Sequence, residues 1–136
     1  YGRVMIEQYI PGQEIQVAII NGEPLGAIEL IPKRQFYDYK AKYTKSAKTK
    51  HIMPARLSKL KYSEVLNIAK KTHDAFKCRG VTRADFKFYK GNFYLLEINT
   101  QPGMTSLSLV PEIANYRSIN FEQLVEKILL DASINK

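Results

Sequence analysis

Apolar and polar positions along the chain follow two periods. Short apolar runs bounded by turn signals predict strands over residues 4–10, 14–20 and 25–31, the second rich in β-branched residues. Pro11-Gly12 breaks the first from the second, and Asn21-Gly22 is a tight-turn pair between the second and third, so the three read as a short antiparallel meander. Residues 81–89 and 93–99 predict two more strands around Lys90-Gly91-Asn92. Helical spacing of Val65, Leu66, Ala69, His73 and Phe76 predicts an amphipathic helix over 63–76, capped by Ser63 and stopped at Arg79-Gly80. A turn at Gln101-Pro102-Gly103 precedes a short helix expected over 107–115. Asn120, with Gln123 three residues on, forms a capping box for a last helix whose apolar stripe is Leu124, Val125, Ile128 and Leu129. Antiparallel strands with separate helices place the chain in the α+β class as a single domain.

One stretch follows neither period. Residues 32–55 hold Lys33, Arg34, Lys40, Lys42, Lys45, Lys48 and Lys50 against a single acid, Asp38, with Tyr37, Tyr39 and Tyr43 interleaved. A loop this long inside a compact domain is a functional lid or a disordered piece, so a mobile basic loop is expected over about 33–55. The formal net charge of the chain is +8, which favours an anionic partner, either nucleic acid or a phosphate-bearing small molecule. No apolar run approaches the ~20 residues of a membrane span, so no membrane partner is expected. The single cysteine, Cys78, cannot form an internal disulfide, and a cytoplasmic location is expected. His51 and His73 match no zinc spacing. His73, on the apolar face of its helix, reads as core. The chain opens at Tyr1 without a Met, and a fragment of a longer protein is expected.

The paired strands at 81–99 carry the most chemistry. With Lys90-Gly91-Asn92 as a three-residue loop, Tyr89 faces Phe93, Lys87 faces Leu95, Asp85 faces Glu97 and Arg83 faces Asn99. Residues directly opposite share a face. One face then presents Arg83, Asp85, Lys87, Glu97 and Asn99, and the other presents Ala84, Phe86, Phe88, Tyr94, Leu96 and Ile98 as core. Two opposed carboxylates ~5 Å apart repel unless something cationic lies between them. Asp, Glu and Asn offer oxygen ligands, the set that suits Mg²⁺ or Mn²⁺, and two such ions clamp a phosphoryl transfer in other sites. The plainer reading is a solvated face on which Glu97 pairs with Lys87 or Arg83, and a one-residue slip in register would separate Asp85 from Glu97.

The run Leu95-Leu96-Glu97-Ile98-Asn99-Thr100-Gln101-Pro102-Gly103-Met104-Thr105-Ser106 resembles the signature of D-alanine–D-alanine ligases of the ATP-grasp superfamily. Phe36 through Tyr43 resembles that family's mobile loop, Val81 through Phe86 its metal-carrying strand, and Val4 through Glu14 its adenine and ribose strand. The resemblance covers nearly the whole chain. It implies the C-terminal ATP-grasp domain, with the N-terminal and central domains absent from this chain, which alone would then be inactive. It also implies an activity: two D-alanines are joined, the first carboxylate attacking the γ-phosphate of ATP to give an acyl phosphate and the second amine displacing phosphate. Within that pattern Asp85, Glu97 and Asn99 match the magnesium or manganese ligands. Glu7 and Ile10 match adenine contacts, Glu14 a ribose contact, Lys42 a phosphate-binding lysine and Tyr43 its neighbour in lid closure. Arg83 and the Gly103 N–H match the groups that hold the oxyanion, and Ser108 and Leu109 the grip on the second D-alanine. The product would serve cell-wall peptidoglycan, and the full enzyme would be a homodimer. Leu107 departs from the pattern, standing where many relatives carry His.

Two rivals stay open on the residues. Another carboxylate–amine ATP-grasp ligase would share the metal and nucleotide residues. A nucleic-acid-binding module would use the basic, tyrosine-rich loop to track phosphates and stack bases, although the acids on the paired strands oppose it.

Overall fold

A computed structural model of the protein describes residues 2–32, 49–105 and 107–132. The described residues form a five-stranded antiparallel sheet in the order β3-β2-β1-β4-β5, with β1 (Gln13–Ile20), β2 (Glu23–Ile31), β3 (Lys50–Ile52), β4 (Val81–Tyr89) and β5 (Asn92–Asn99). Three helices accompany it: α1 (Lys59–Ala75), α2 (Leu109–Tyr116) and α3 (Phe121–Asp131). The α+β reading holds. Asn21 and Gly22, at φ 49° and 77°, make the tight β1–β2 turn that the pair promised.

Strand β1 lies at the centre of the sheet and is buried on both faces from Ile15 to Ile20. Ile15, Val17 and Ile19 meet Ala84 and Phe86 of β4 and Val65 and Ala69 of α1 in one core. Ala18 and Ile20 meet Val110, Ile113 and Ala114 of α2 and Leu124 of α3 in a second core on the opposite face. Helices α2 and α3 cover that second face only at the end where β1 finishes. The other end, at Glu14 and Gln16, stays open, and the polar face of β4 continues there.

Several expected boundaries move. Residues 4–10 form no strand: Val4, Met5, Ile6 and Tyr9 are exposed, and no strand of the described sheet pairs with them. An apolar run alone cannot make a strand without a ladder partner. Helix α1 starts one turn before Ser63, because Ser58 caps it, its hydroxyl accepting from the Lys61 N–H at 3.3 Å. The same helix ends ahead of Gly80. Lys77 takes the left-handed position at φ 52°, and the Lys77 and Cys78 N–H groups bond the Asp74 and His73 carbonyls. The last part of the expected loop is strand β3, while residues 33–48, including Lys42 and Tyr43, lie outside the described residues. The capping box at Asn120 and Gln123 is present, but of the α3 stripe only Leu124 is buried, and Leu129 is exposed. His73 is buried, with Nδ1 2.8 Å from the Thr82 hydroxyl, and burial lowers its pKa.

A buried carboxylate ties β2 to the start of α1. Glu29 accepts from Arg56 Nε at 2.9 Å, Arg56 Nη2 at 2.8 Å, the Arg56 backbone N–H at 3.2 Å and Gln13 Nε2 at 3.1 Å. The Arg56 guanidinium holds the Glu29 carboxyl below the usual carboxylate range, against the opposing push of burial. A depressed carboxylate adds stability that is complete above its unfolded pKa of about 4.3 and lost as pH falls through the lower folded value. Arg56→Ala is therefore expected to lower the urea midpoint at pH 7, because Glu29 is left buried without its partner. The gap from wild type should narrow when denaturation is repeated near pH 3.

Candidate functional site

The β4–β5 hairpin does not have the register its sequence predicts at the tip, yet it has it at the other end. Only Lys90 and Gly91, at φ 48° and 80°, form the turn, so Tyr89 pairs with Asn92, Phe88 with Phe93 and Lys87 with Tyr94. The expected pairs Tyr89–Phe93 and Lys87–Leu95 are absent. The pairing then shifts: Phe86 faces Leu95 but Asp85 faces Glu97, leaving Leu96 as an extra residue in a β-bulge. Beyond the bulge, Ala84 faces Ile98 and Arg83 faces Asn99 as expected. The bulge also revises the core face. Phe93 packs on Phe88 and Phe86 with centroids at 4.5 and 6.3 Å, while Tyr94 and Leu96 are exposed rather than core.

Arg83, Asp85 and Glu97 meet at the open end of the sheet's second face. Arg83 donates from Nε to Asp85 Oδ1 at 2.7 Å and from Nη2 to Oδ2 at 2.8 Å, and the same Nη2 lies 3.7 Å from Glu97 Oε1. Asp85 is 8% exposed. Burial pushes its carboxyl above the ordinary value; the Arg83 guanidinium pulls the other way, and the Glu97 carboxylate adds to the rise. Next along, Lys87 reaches Glu14 at 3.3 Å. Asn99 Oδ1 accepts from the Gln101 N–H at 2.9 Å, which tethers the following turn to the end of β5.

Arg83, Asp85, Glu97 and Glu14 line a cleft of about 600 Å³, walled also by Met5, Glu7, Gln8, Gln16, Leu30, Leu96 and Leu109; Lys87 and Asn99 are not part of that lining. Glu7, Glu14, Arg83, Asp85, Glu97 and Leu109 are thus brought together, from segments as far apart as 7 and 109. Ile10 is half-buried and is not part of the lining. Lys42 and Tyr43 fall outside the described residues. Gln16, Met5, Gln8, Leu30 and Leu96 line the cleft without having been singled out. For Gln16 the signal was present, since period two puts it on the face of Glu14.

A second group sits at the start of α2. A Cβ on Gly103 would come 2.9 Å from Ser108 Oγ. That hydroxyl accepts from the Thr105 N–H at 3.0 Å and lies 2.9 Å from Thr105 Oγ1. Ser108 is the N-cap of α2, but with its hydroxyl held by Thr105 it makes no side-chain cap, so the first amides of α2 keep their capacity to bind an anion.

Asp85, Glu97 and Asn99 are all oxygen donors, the kind a hard divalent cation takes. Among the described residues no three His, Cys, Asp or Glu side chains gather to hold a metal unaided. Two carboxylates and an amide would leave positions for phosphate oxygens and water, the usual arrangement for magnesium. The residues fit such an ion.

Comparison with known proteins agrees with this layout. The family model described as D-ala D-ala ligase C-terminus matches residues 2–130. The chain belongs to this family. The D-alanine–D-alanine ligase of Pelagibacter ubique (strain HTCC1062) is 61% identical over all of the chain and 45% of the relative's length. That of Rhodopseudomonas palustris (strain BisA53) is 45% identical over all of the chain and 46% of its own length. The D-alanine–D-alanine ligase of Bacillus anthracis, solved complexed with ATP, superposes with a TM-score of 0.77 at 32% identity, covering 92% of this chain and 41% of that one. VanG D-Ala:D-Ser ligase from Enterococcus faecalis superposes at 0.75 with 28% identity, covering 90% of this chain and 36% of that one. The chain therefore spans less than half the length of the relatives it matches, and the sheet with its helices is the C-terminal ATP-grasp domain of the ligase family.

The Gly103–Ser108 contact is open to a direct test. Gly103→Ala is expected to push the Ser108 hydroxyl away from Thr105 and raise amide hydrogen exchange at Thr105. Global stability should fall by less than about 1 kcal/mol, the scale of a single exposed hydrogen bond. Unchanged exchange at Thr105 would show that the loop absorbs the methyl group elsewhere.

Proposed function

We propose that this chain is the nucleotide- and metal-binding portion of a cytoplasmic D-alanine–D-alanine ligase. The observation that carries the reading is the convergence of Arg83, Asp85 and Glu97 on one cleft with Glu7 and Glu14, in a chain of that family. The N-terminal and central domains of the enzyme would lie in a longer protein, and residues 1–136 alone would be inactive. Asp85, Glu97 and Asn99 would hold Mg²⁺ or Mn²⁺, two ions in the full site. The cation supplies charge neutralisation to the phosphate oxygens when bound. Glu7 and the Ile10 backbone would hold adenine and Glu14 the ribose, while Lys42 would bind phosphate with Tyr43 as its neighbour in lid closure.

The residues then act in order. The carboxylate of the first D-alanine attacks the γ-phosphorus of ATP, the bond to the β-phosphate oxygen breaks, and ADP leaves. The amine of the second D-alanine attacks the acyl phosphate carbon, loses a proton, and phosphate departs as the peptide bond forms. Arg83 and the Gly103 N–H would hold the oxygen on which negative charge develops in this second step. Donors placed in advance at that oxygen lower the barrier without reorganising. Ser108 and the Leu109 N–H, at the start of α2, would grip the carboxylate of the second D-alanine. The resemblance to VanG D-Ala:D-Ser ligase makes the second substrate the point on which a related activity would differ. The nucleic-acid reading finds no support at the cleft, whose lining carries four carboxylates.

The deciding measurement is coupled ATP hydrolysis by the full-length protein with D-alanine supplied and then withheld. Magnesium-dependent turnover that needs D-alanine and releases one phosphate per dipeptide is the expected result. Turnover only with another amino acid would keep the ligase and change the substrate. Glu97→Gln should lower turnover about 100-fold and weaken metal binding with the fold retained, and an unchanged rate would remove Glu97 from the metal site. Arg83→Ala should lower kcat by about 100-fold or more with little change in ATP affinity. An equal loss of ATP affinity would argue against its role at the oxyanion.

A further inference from the structure

Among the polar groups of the cleft that the family pattern leaves without a task, Gln16 is the buried one. Gln16 is 6% exposed, and its Oε1 has no hydrogen-bond partner among the described residues. A buried amide oxygen left unpaired loses its bonds to water and gains none in return. Its position in the sheet is well defined. Gln16 pairs with Asp85 on one side and Ile28 on the other, and it lies two residues after Glu14 on the same strand face. It lines the cleft with both carboxylates. Its oxygen only accepts, and Glu14, Asp85 and Glu97 in the same cleft are acceptors too when ionised. Arg83, the cationic donor in that lining, directs Nε and Nη2 at Asp85, so a ligand that carries a donor would supply the partner the oxygen lacks.

We propose that Gln16 is a further binding residue of the site, its side-chain oxygen accepting a hydrogen bond from an O–H donor held in the cleft. This rests on the nucleotide and metal reading above. Two sources offer that donor: a water on the divalent cation at Asp85 and Glu97, or a hydroxyl of the nucleotide sugar at Glu14. Magnesium keeps several of its waters when bound, and hydrogen bonds to such second-layer groups affect cation affinity about 10–100-fold. In either case Gln16 positions the nucleotide–metal unit and takes no part in proton transfer.

The test uses Gln16→Met in the full-length protein, which keeps length and bulk and removes the acceptor. The probes are ATP, 2′-deoxy-ATP and 3′-deoxy-ATP, each titrated calorimetrically with Mn²⁺ and without D-alanine, and the thermal midpoint of the ligand-free protein is recorded beside them. The ligand-free midpoint should be unchanged or raised, because an unpaired buried oxygen has been removed, while affinity for ATP with Mn²⁺ should fall about 5–10-fold. An equal fall for all three nucleotides would assign the donor to the cation's water. A fall for ATP that disappears with one deoxy form would assign it to the missing hydroxyl. Wild-type affinity for all three in the variant would overturn the proposal, as would a lowered ligand-free midpoint, which would make Gln16 a structural residue. Should Gln16→Met fail to fold, Gln16→Glu keeps an acceptor at the same reach and should bind Mn²⁺ with ATP at least as tightly as wild type; weaker binding would overturn the proposal. Wild-type protein that binds none of the nucleotides with Mn²⁺ would instead sink the underlying nucleotide reading.

Discussion

Burial of β1 on both faces is the constraint from which the rest of the domain follows. A strand covered on two sides needs apolar residues at successive positions, and Ile15 through Ile20 supply them apart from Gln16. One face is closed along its length by α1. The other is closed by α2 and α3 only as far as Ala18 and Ile20. Where that cover stops, the strand presents Glu14 and Gln16, and its neighbour β4 presents Arg83, Asp85 and Lys87 in register. The cleft is thus the uncovered remainder of a sheet face, with a rigid strand as its floor. Side chains on such a floor are held more closely than side chains on loops, which would suit groups proposed to meet a phosphate and a cation together.

The hairpin shows how the site could be read from the sequence through an incorrect intermediate. A three-residue turn would have aligned Asp85 with Glu97 by counting alone. The protein uses a two-residue turn, which would slip Glu97 to the other face, and then inserts Leu96 as a bulge that restores the phase. Turn and bulge together equal the longer loop at the functional end and differ from it at the tip. The tip was misread because Lys90 accepts φ 48° without being glycine or asparagine, a choice that turn propensities do not favour. Phe93 then packs beside Phe88 and Phe86, which gives the shorter turn an apolar reason.

The other misreadings have a common origin. Residues 4–10 are apolar enough to read as a strand, but pairing is a property of a neighbour, and the described sheet offers none. Strand β3 has three residues and no pattern of its own; it is defined by contact with β2. Ser58 caps α1 because the helix extends a turn beyond its apolar stripe, and a stripe marks only the part of a helix that is packed. What was legible was local: the Asn21-Gly22 turn, the box at Asn120, the apolar face of α1. Glu29 with Arg56 was not, since nothing in a strand that reads as apolar announces that one acid inside it will be met by a side chain 27 residues away.

Electrostatics then separates the two uses a basic chain could have. The net charge of +8 would suit a polyanion if the positive groups lined the working surface. The cleft is the reverse: it holds Glu7, Glu14, Asp85 and Glu97 against Arg83, with Lys87 beside it already paired to Glu14. Asp85 is buried and held between a guanidinium and a second carboxylate, so its anionic form is sustained chiefly by Arg83. Such a surface repels a bare phosphate chain and attracts one that brings its own cations. A nucleotide carried with divalent metal meets that requirement, because the ions neutralise carboxylate and phosphate at once. Ions held on the carboxylates, as proposed, would weaken the demand that Asp85 makes on Arg83, and the guanidinium would then be available to an oxygen on the substrate. The two residues that pair with each other in the fold would thereby be suited to separate duties.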